Sequence, residues 1–407
     1  MRFSEYSIAN EIKEQLDELG FKRPTDIQFK AIKPILDGED VFAIAQTGTG
    51  KTGAFVIPIV NELFRKTWKR KEPRAIVMAP TRELAEQITQ VFEQIAKKTT
   101  LNILCVMGGI TQDDQINQLT KGVDIIIATP GRVFDLRSQG YLSLDYIQFL
   151  VLDEADRMLD LGFANDINAI HKLSPNKNRQ TLFFSATITK KIKALAYDIV
   201  REAIRIQISP KNPVSRYVAH AYLAVSMDDK RFFLENMIKE YEEYKFVVFV
   251  RTKVRCERVV AAMERVGIHS EALHGGKEQV DRFAILERFR NNENKILITT
   301  DVAARGIDIP NVDVVINYDL PDQEEQYVHR VGRTGRGDKD GQAISFCSPE
   351  EKPLLEAIET YIGYPVEQLE IHEDDYKTIL RDSEDLSYNW KKLLDEANEE
   401  DGTKDSW

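Results

Sequence analysis

The chain has 407 residues, 43% hydrophobic and 30% charged, which fits a water-compatible globular protein too long for one ordinary core. Its apolar runs are far shorter than a bilayer span, and no positively charged start leads into an apolar core, so neither a membrane helix nor a secretory signal is expected. The net charge of −11 argues against general affinity for nucleic acid, but residues 367–407 hold fourteen Asp/Glu against five Lys/Arg. That segment accounts for −9, and the remaining body, at −2, can still carry a local basic track. Cys105, Cys256 and Cys347 lie far apart and read as free thiols of a reducing compartment, which points to the cytoplasm.

In chain order, Phe3–Leu19 reads as a short amphipathic opening, with Ile8, Ile12, Leu16 and Leu19 at helical spacing. Gly20 suits a helix end and Pro24-Thr25 the start of the next helix. Gln28 has the chemistry to read an adenine edge, its carbonyl accepting from N6–H and its amide donating to N7. The apolar run Val41–Ala45 predicts a buried strand. It leads into Ala45-Gln46-Thr47-Gly48-Thr49-Gly50-Lys51-Thr52, followed by a predicted helix over Ala54–Phe64 with Pro58 as a local irregularity. Strand, glycine-rich loop and helix form the context of a phosphate-binding loop. Gly48 and Gly50 let backbone N–H groups aim at phosphate, Lys51 supplies a mobile cation, and Thr52 offers a hydroxyl to magnesium.

Short apolar runs then alternate with helical stretches: Ala75–Ala79, Asn102–Met107, Val123–Ala128, Phe149–Leu152 and Thr181–Ser185. That alternation predicts an α/β fold with a parallel sheet covered on both faces. Polar and glycine-rich signals follow these runs, at the strand ends where such sheets bind ligands. They are Pro80–Ala85, Gly108-Gly109, Thr129–Arg132, Asp153-Glu154-Ala155-Asp156 and Ser185-Ala186-Thr187. Ser209–Ser215 is Pro-rich and polar and reads as a linker. A second alternation follows, with runs Ala221–Val225, Phe246–Val250, Lys295–Ile298, Val312–Asn317 and Ala343–Phe346. It carries no second Gly-Lys-Thr loop, so one nucleotide site is expected. Beyond Tyr364 the periodicity fades into the acidic tail. The expected divisions are 1–208, a linker at 209–215, 216–365, and a partly disordered tail at 366–407.

Taken together and in order, these motifs resemble the DEAD-box ATP-dependent RNA helicases of helicase superfamily two. The resemblance covers roughly Phe3 to Phe346. It includes Phe3 with Gly20–Gln28, Ala45–Thr52, the name-giving Asp153–Asp156, Val248–Lys253, Gln279–Arg282, Thr299–Asp308 and His329–Arg336. Val248–Lys253 and Arg157–Asp160 look most like the bacterial RhlE group. The resemblance implies two RecA-like parallel-sheet domains in tandem, joined by a flexible linker. It also implies RNA-stimulated ATP hydrolysis coupled to unwinding of short RNA duplexes or to ribonucleoprotein remodelling. A clamp or scaffold that unwinds little is the alternative.

Asp153 is the expected magnesium ligand with Thr52, partly through water, and Glu154 the orienter or base for the attacking water. The resemblance gives Asp156 the partners Ser185, Thr187 and His329, and places Arg330 in the same coupling set. It makes Arg333 and Arg336 arginine fingers, which contribute on the order of 10³–10⁵ in rate. It brings Asp308 to the ATP ribose, with Gly306 permitting close approach, and adds Phe21 and Gln46 through Thr52 to the nucleotide site. RNA is expected on Arg82, Gly108, Gly109, Thr129, Gly131 and Arg132 of the first domain. In the second domain it is expected on Arg251, Gly275, Arg282, Thr300 and Asp301. Arginines, hydroxyls and backbone N–H groups suit recognition of backbone and sugar with weak base preference. Expected ligands are ATP, Mg2+ and RNA; expected protein partners belong to ribosome assembly or RNA decay, and no membrane is expected.

Overall fold

The computed structural model describes residues 1–46, 48–109, 111–208, 214, 218–304, 309, 312–335 and 341–383. Residues up to Ile208 belong to one compact unit and those from Val218 to a second.

In the first unit, β1 (Val41–Ala45), β2 (Ala75–Met78), β3 (Ile103–Val106), β4 (Ile125–Ala128), β5 (Phe149–Leu152), β6 (Gln180–Ser185) and β7 (Ile204–Ile208) form one sheet. Its order is β3-β4-β2-β5-β6-β1-β7, and every pairing is parallel. The continuous apolar runs are explained by two separate cores. Val41, Ala43, Val77 and Val151 pack into one, with the helices Asp26–Leu36, Lys51–Arg65 and Arg82–Ala96. Phe42, Ile44, Ile76, Met78 and Leu152 pack into the other, with Pro130–Ser138, Ala164–Leu173 and Lys190–Ile199. Alternate strand residues point to opposite faces, so both faces must be apolar. Each fully buried Val, Leu, Ile or Phe side chain contributes about 1.5–3 kcal/mol.

The second unit repeats the plan. Its strands are β8 (Val218–Ala224), β9 (Phe246–Phe249), β10 (Glu271–Leu273), β11 (Ile296–Thr299), β12 (Val314–Asn317), β13 (Gly341–Cys347) and β14 (Glu367–Leu369). They pair in parallel in the order β10-β11-β9-β12-β13-β8-β14. No helix among the described residues is long and apolar enough to cross a membrane.

Three strands lie outside the expected runs. At the edge, β7 exposes Ile204 and Arg205, and β14 exposes all three of its residues, so neither shows a buried pattern. Three-residue β10 is too short to show one. The phosphate-loop helix starts at Lys51, ahead of the expected Ala54, and runs unbroken through Pro58 to Arg65.

The expected tail at 366–407 also needs correction. Its first part, through Ser383, is built into the second unit. Beyond β14, the helix Glu373–Arg381 lays Ile379 and Tyr376 against the core, joined by Ile371 just before it. The Tyr376 ring lies 4.8 Å from Phe233, and its hydroxyl donates to Asp229 at 2.8 Å and accepts from the Ser226 N–H at 3.3 Å. Ser383 donates to Glu235. Glu373, Asp374 and Asp375 occupy the first helical turn, where the dipole favours negative charge. Acidity there stabilises a helix end rather than signalling disorder. Residues 384–407, like most of the linker at 209–215, lie outside the described residues.

Tyr376→Ala should therefore destabilise the second unit by about 2 kcal/mol, less than for a fully buried aromatic, and Tyr376→Phe by about 1 kcal/mol. Urea unfolding measures both; equal midpoints for all three proteins would show that this helix does not stabilise the core.

Candidate active site

At the end of β1, Gly48 and Gly50 take φ values of +81° and +90°, which only glycine adopts without strain. Gly50 caps the helix Lys51–Arg65, so the free N–H groups of its first turn end at the loop. Thr49 donates to the Gln46 carbonyl at 2.7 Å, closing the turn. Lys51 is buried, and its Nζ finds no hydrogen-bond partner among the described residues. A buried ammonium without a partner is costly, and an incoming anion would relieve it.

Gln28 is wired directly into this loop. It sits at the third position of the helix Asp26–Leu36, in a capping box with Thr25. Its Oε1 accepts the Thr25 N–H at 3.0 Å and its Nε2 donates to the Gly50 carbonyl at 3.0 Å. One N–H and one lone pair of the amide remain beyond these bonds. A Cβ at Gly50 or Gly53 would come within 2.7 Å of Nε2, so both glycines make room for this side chain. Sequence reasoning missed Gly53; a glycine in the first turn of an otherwise apolar helix was the available signal. Phe21 is exposed. Thr47 lies outside the described residues.

At the end of β5, Asp153 is buried, and its carboxyl pKa is pushed up to about 6. Burial is the main cause; Glu154 and Asp156 add repulsion, while Lys51 pulls the other way. Its Oδ1 accepts the Glu154 N–H at 3.0 Å. Glu154 takes φ +51°, a left-handed conformation uncommon for glutamate, and caps the short helix Ala155–Asp160. Its Oε2 lies 3.5 Å from Arg157. Asp156 reaches the neighbouring strand end: its Oδ2 accepts from Ala186 N–H at 3.0 Å and Thr187 N–H at 2.9 Å. Ser185 donates to the Thr187 carbonyl at 2.7 Å.

The donor set fits magnesium. Thr52 and Asp153 supply hard oxygens, and no cluster of three or more His, Cys, Asp or Glu suited to a metal occurs among the described residues. A cation that keeps several waters and shares phosphate oxygens tolerates such a sparse protein site.

A second group lies at the ends of β2, β3 and β4. The Arg82 guanidinium covers Gly108 and Gly109, where a Cβ on Gly109 would overlap it. Thr129 precedes the helix Pro130–Ser138, and Gly131 opens onto free space. Arg132 is mostly buried, 3.9 Å from Asp135, and one of its guanidinium nitrogens is buried without a hydrogen-bond partner among the described residues.

In the second unit, Gly275 is open, beside His274, whose Nε2 lies 2.7 Å from Glu257. Arg282 lies on the helix Gln279–Arg290, and Thr300 is buried at the end of β11. Two expected RNA residues carry ion pairs within the unit. Both carboxylate oxygens of Asp301 hold Arg330 at 2.6 Å, and Arg251 pairs with Glu351 at 3.1 Å and Asp322 at 3.3 Å. Arg251, itself exposed, thus borders a cluster in which buried Lys230 pairs with Glu351, and half-buried Arg255 with Asp319 at 2.8 Å. Nothing in the residue spacing announced this cluster. Arg330 is 1% exposed. Arg333 is buried, and its Nε donates to the His329 carbonyl at 3.2 Å. Gly306, Asp308 and Arg336 lie outside the described residues.

With this geometry in hand, likeness to known proteins is informative. Residues 25–195 match the DEAD/DEAH box helicase family, and residues 229–338 match the helicase conserved C-terminal domain. The chain is 42% identical over 370 residues to proteins named ATP-dependent RNA helicase RhlB from Shewanella amazonensis and Shewanella frigidimarina. That alignment covers 90% of this chain and 84% and 85% of the two relatives. The narrower RhlE grouping is not what these names carry. Among solved structures, S. cerevisiae Dbp5 bound to RNA and ADP BeF3 superposes with a TM-score of 0.82 at 30% identity, covering 93% of this chain and 99% of that one. Mss116 bound to ssRNA and UDP-BeF gives 0.83 at 29% identity, covering 94% and 82%.

The raised pKa of Asp153 has a thermodynamic consequence in metal-free protein. The folded state holds a proton on Asp153 to higher pH than the unfolded state, so stability is lost as pH rises from about 4 to about 6. Asp153→Asn removes that penalty. Its melting temperature should exceed the parent's above pH 6, with the gap closing near pH 4. Melting curves in chelator test this; a variant that melts lower at pH 8 would mean the carboxylate is not desolvated.

Proposed function

The chain belongs to the DEAD/DEAH box helicase family, and on that premise we propose that it is an ATP-dependent RNA helicase. Hydrolysis stimulated by RNA drives separation of short duplexes or remodelling of ribonucleoprotein. The observation that carries the reading is the order of the first sheet. The phosphate loop follows β1, Ser185–Thr187 follow β6, and Asp153–Asp156 follow β5, on three adjacent strands. The three beyond them, β2, β4 and β3, lead to Arg82, Thr129–Arg132 and Gly108-Gly109. In this reading nucleotide and RNA each take half of one edge, and the Asp156 bonds to Ala186 and Thr187 tie two strand ends of the nucleotide half together.

In this reading Lys51 and the loop N–H groups hold the outer phosphates, and Thr52 and Asp153 hold magnesium. Magnesium, when bound, neutralises phosphate charge and stabilises the transferring group. Glu154 orients the attacking water. Arg333 and Arg336 are assigned to the γ-phosphate during turnover, and Gly306 and Asp308 to the ribose, on the family motif. RNA phosphates and sugars meet Arg82, Gly108, Gly109, Thr129, Gly131 and Arg132, and Gly275, Arg282 and Thr300 in the second unit. Arg251 and Asp301 act one step removed, by fixing the strand ends beside them. Recognition through guanidinium, hydroxyl and backbone N–H groups favours RNA over DNA without strong sequence preference. We assign 1–208 to the nucleotide-binding domain and join 366–383 to the domain beginning near 216. Cytoplasmic proteins of ribosome assembly or RNA decay are the partners this activity anticipates.

Glu154→Gln preserves shape and removes the charge. ATP and RNA binding should survive while turnover falls at least a hundredfold, the scale of general-base loss. A near-parental ATPase rate would remove Glu154 from the mechanism.

Base choice offers an independent test. If the remaining amide N–H and lone pair of Gln28 meet adenine, the parent should prefer ATP over GTP by about 1–3 kcal/mol, a factor of about 5–150 in kcat/KM. Gln28→Ala should narrow that ratio. Equal use of both nucleotides by the parent would refute the contact.

A further inference from the structure

Beneath the helix Glu324–Val331, a file of buried polar side chains crosses the second sheet. At one end, Arg330 grips Asp301 and donates to the Asn317 side-chain oxygen at 3.1 Å. Asn317 donates to the Ser345 hydroxyl at 3.0 Å. These two residues are register partners on β12 and β13 and share a sheet face. Ser345 lies beside the phenol of Tyr327, whose pKa is raised by burial and only partly brought back by Ser345. The Tyr327 hydroxyl lies 2.8 Å from His220 Nδ1, and His220 Nε2 lies 3.1 Å from the Tyr364 hydroxyl. Asn317, Ser345 and Tyr327 are fully buried.

Burial lowers the His220 pKa and favours the neutral ring. A neutral imidazole has one N–H and one lone pair, so in either tautomer it donates to one phenol and accepts from the other. Tyr364 stands just past the last core helix, Lys352–Ile362. It is held there by the left-handed cap at Gly363 and by the Val366 N–H, which donates to Glu359 at 2.8 Å. From that point β14 runs beside β8, starting opposite Ala221, the residue after His220.

We propose that Tyr364 and His220 are positioning residues for the arginine-bearing helix, setting the efficiency of ATP hydrolysis without touching substrate. Buried polar networks in which every member is satisfied fix one geometry, and removing one member releases its neighbours. Tyr327 and Arg330 are one turn apart on that helix, and Arg333 bonds back to its His329 carbonyl. A change at Tyr327 is therefore felt at both arginines. The inference rests on the ATPase reading above only for its effect on rate.

The test compares full-length parent with Tyr364→Phe, His220→Leu and His220→Gln. RNA-stimulated kcat should fall about two- to tenfold in Tyr364→Phe, the scale of one buried hydrogen bond, and further in His220→Leu. KM for ATP and RNA affinity should change less than twofold. His220→Gln, which keeps a donor and an acceptor, should recover most of the loss. In parallel, amide exchange across 324–331 should accelerate in Tyr364→Phe, with the helix Lys253–Arg265 as the unchanged reference. Unchanged exchange at 324–331, or acceleration shared by the reference helix, overturns the proposal. So does an active parent whose kcat Tyr364→Phe leaves intact. A parent with no RNA-stimulated ATPase defeats the helicase reading instead, and the exchange result alone then upholds or overturns the physical link.

Discussion

Both sheets are parallel throughout, so within each sheet every strand delivers its C-terminal end to the same edge. That constraint organises the rest of the molecule. Strands buried on both faces have no surface for chemistry, and their side chains are spent on two cores. Function must then sit where the strands stop, in loops and first helical turns whose N–H groups lack internal partners. The short strands keep those loops in close register. Adjacent strands lie only about 4.8 Å apart, so the loops after neighbouring strands are within side-chain reach of one another. Asp156 needs no long side chain to reach Ala186 and Thr187, because β5 and β6 are neighbours.

The same rule explains what could be read from sequence. Four- to six-residue apolar runs separated by helical stretches identified most of the central strands, because burial on both faces leaves a contiguous signature. The strands β7 and β14 escaped because most of their residues are exposed, so no buried apolar run marks them, whereas β3, also at an edge, keeps one. The same holds for the join between the body and the acidic C-terminus. Charge composition suggested a solvated tail, yet the anchoring of Glu373–Arg381 rests largely on Tyr376, with Ile371 and Ile379. Three apolar residues spread over nine positions are too few for a periodicity to emerge above the charges.

At the sites, residue types were legible and commitments were not. Gly-Lys-Thr predicts a phosphate loop because few other uses need those residues in that order. Gln28 could be assigned a chemistry, but its grip on the Gly50 carbonyl depends on Gly53 leaving space, which is a packing fact. Arg251 and Asp301 looked like RNA contacts because they end strands. Their partners, Glu351 and Asp322 for one and Arg330 for the other, show that they also carry ion pairs within the unit. A charged residue at a strand end is equally compatible with binding and with bracing; the deciding quantity is where its counter-charge lies.

That quantity separates the two units. In the second, buried Lys230 pairs with Glu351, buried Arg330 with Asp301 and Asn317, and half-buried Arg255 with Asp319. Such groups resist rearrangement, because breaking one pair strands a buried charge at a cost of about 3–5 kcal/mol. In the first unit the Lys51 ammonium and one Arg132 nitrogen are buried without a hydrogen-bond partner among the described residues, and the Asp153 carboxyl is buried enough to hold its proton to about pH 6. The first unit keeps groups whose electrostatic needs a triphosphate, a divalent cation and a phosphodiester backbone would meet. The paired groups of the second form a frame that suits residues that must present a fixed geometry. Ligand binding is then most strongly driven where the fold has left charge unmatched.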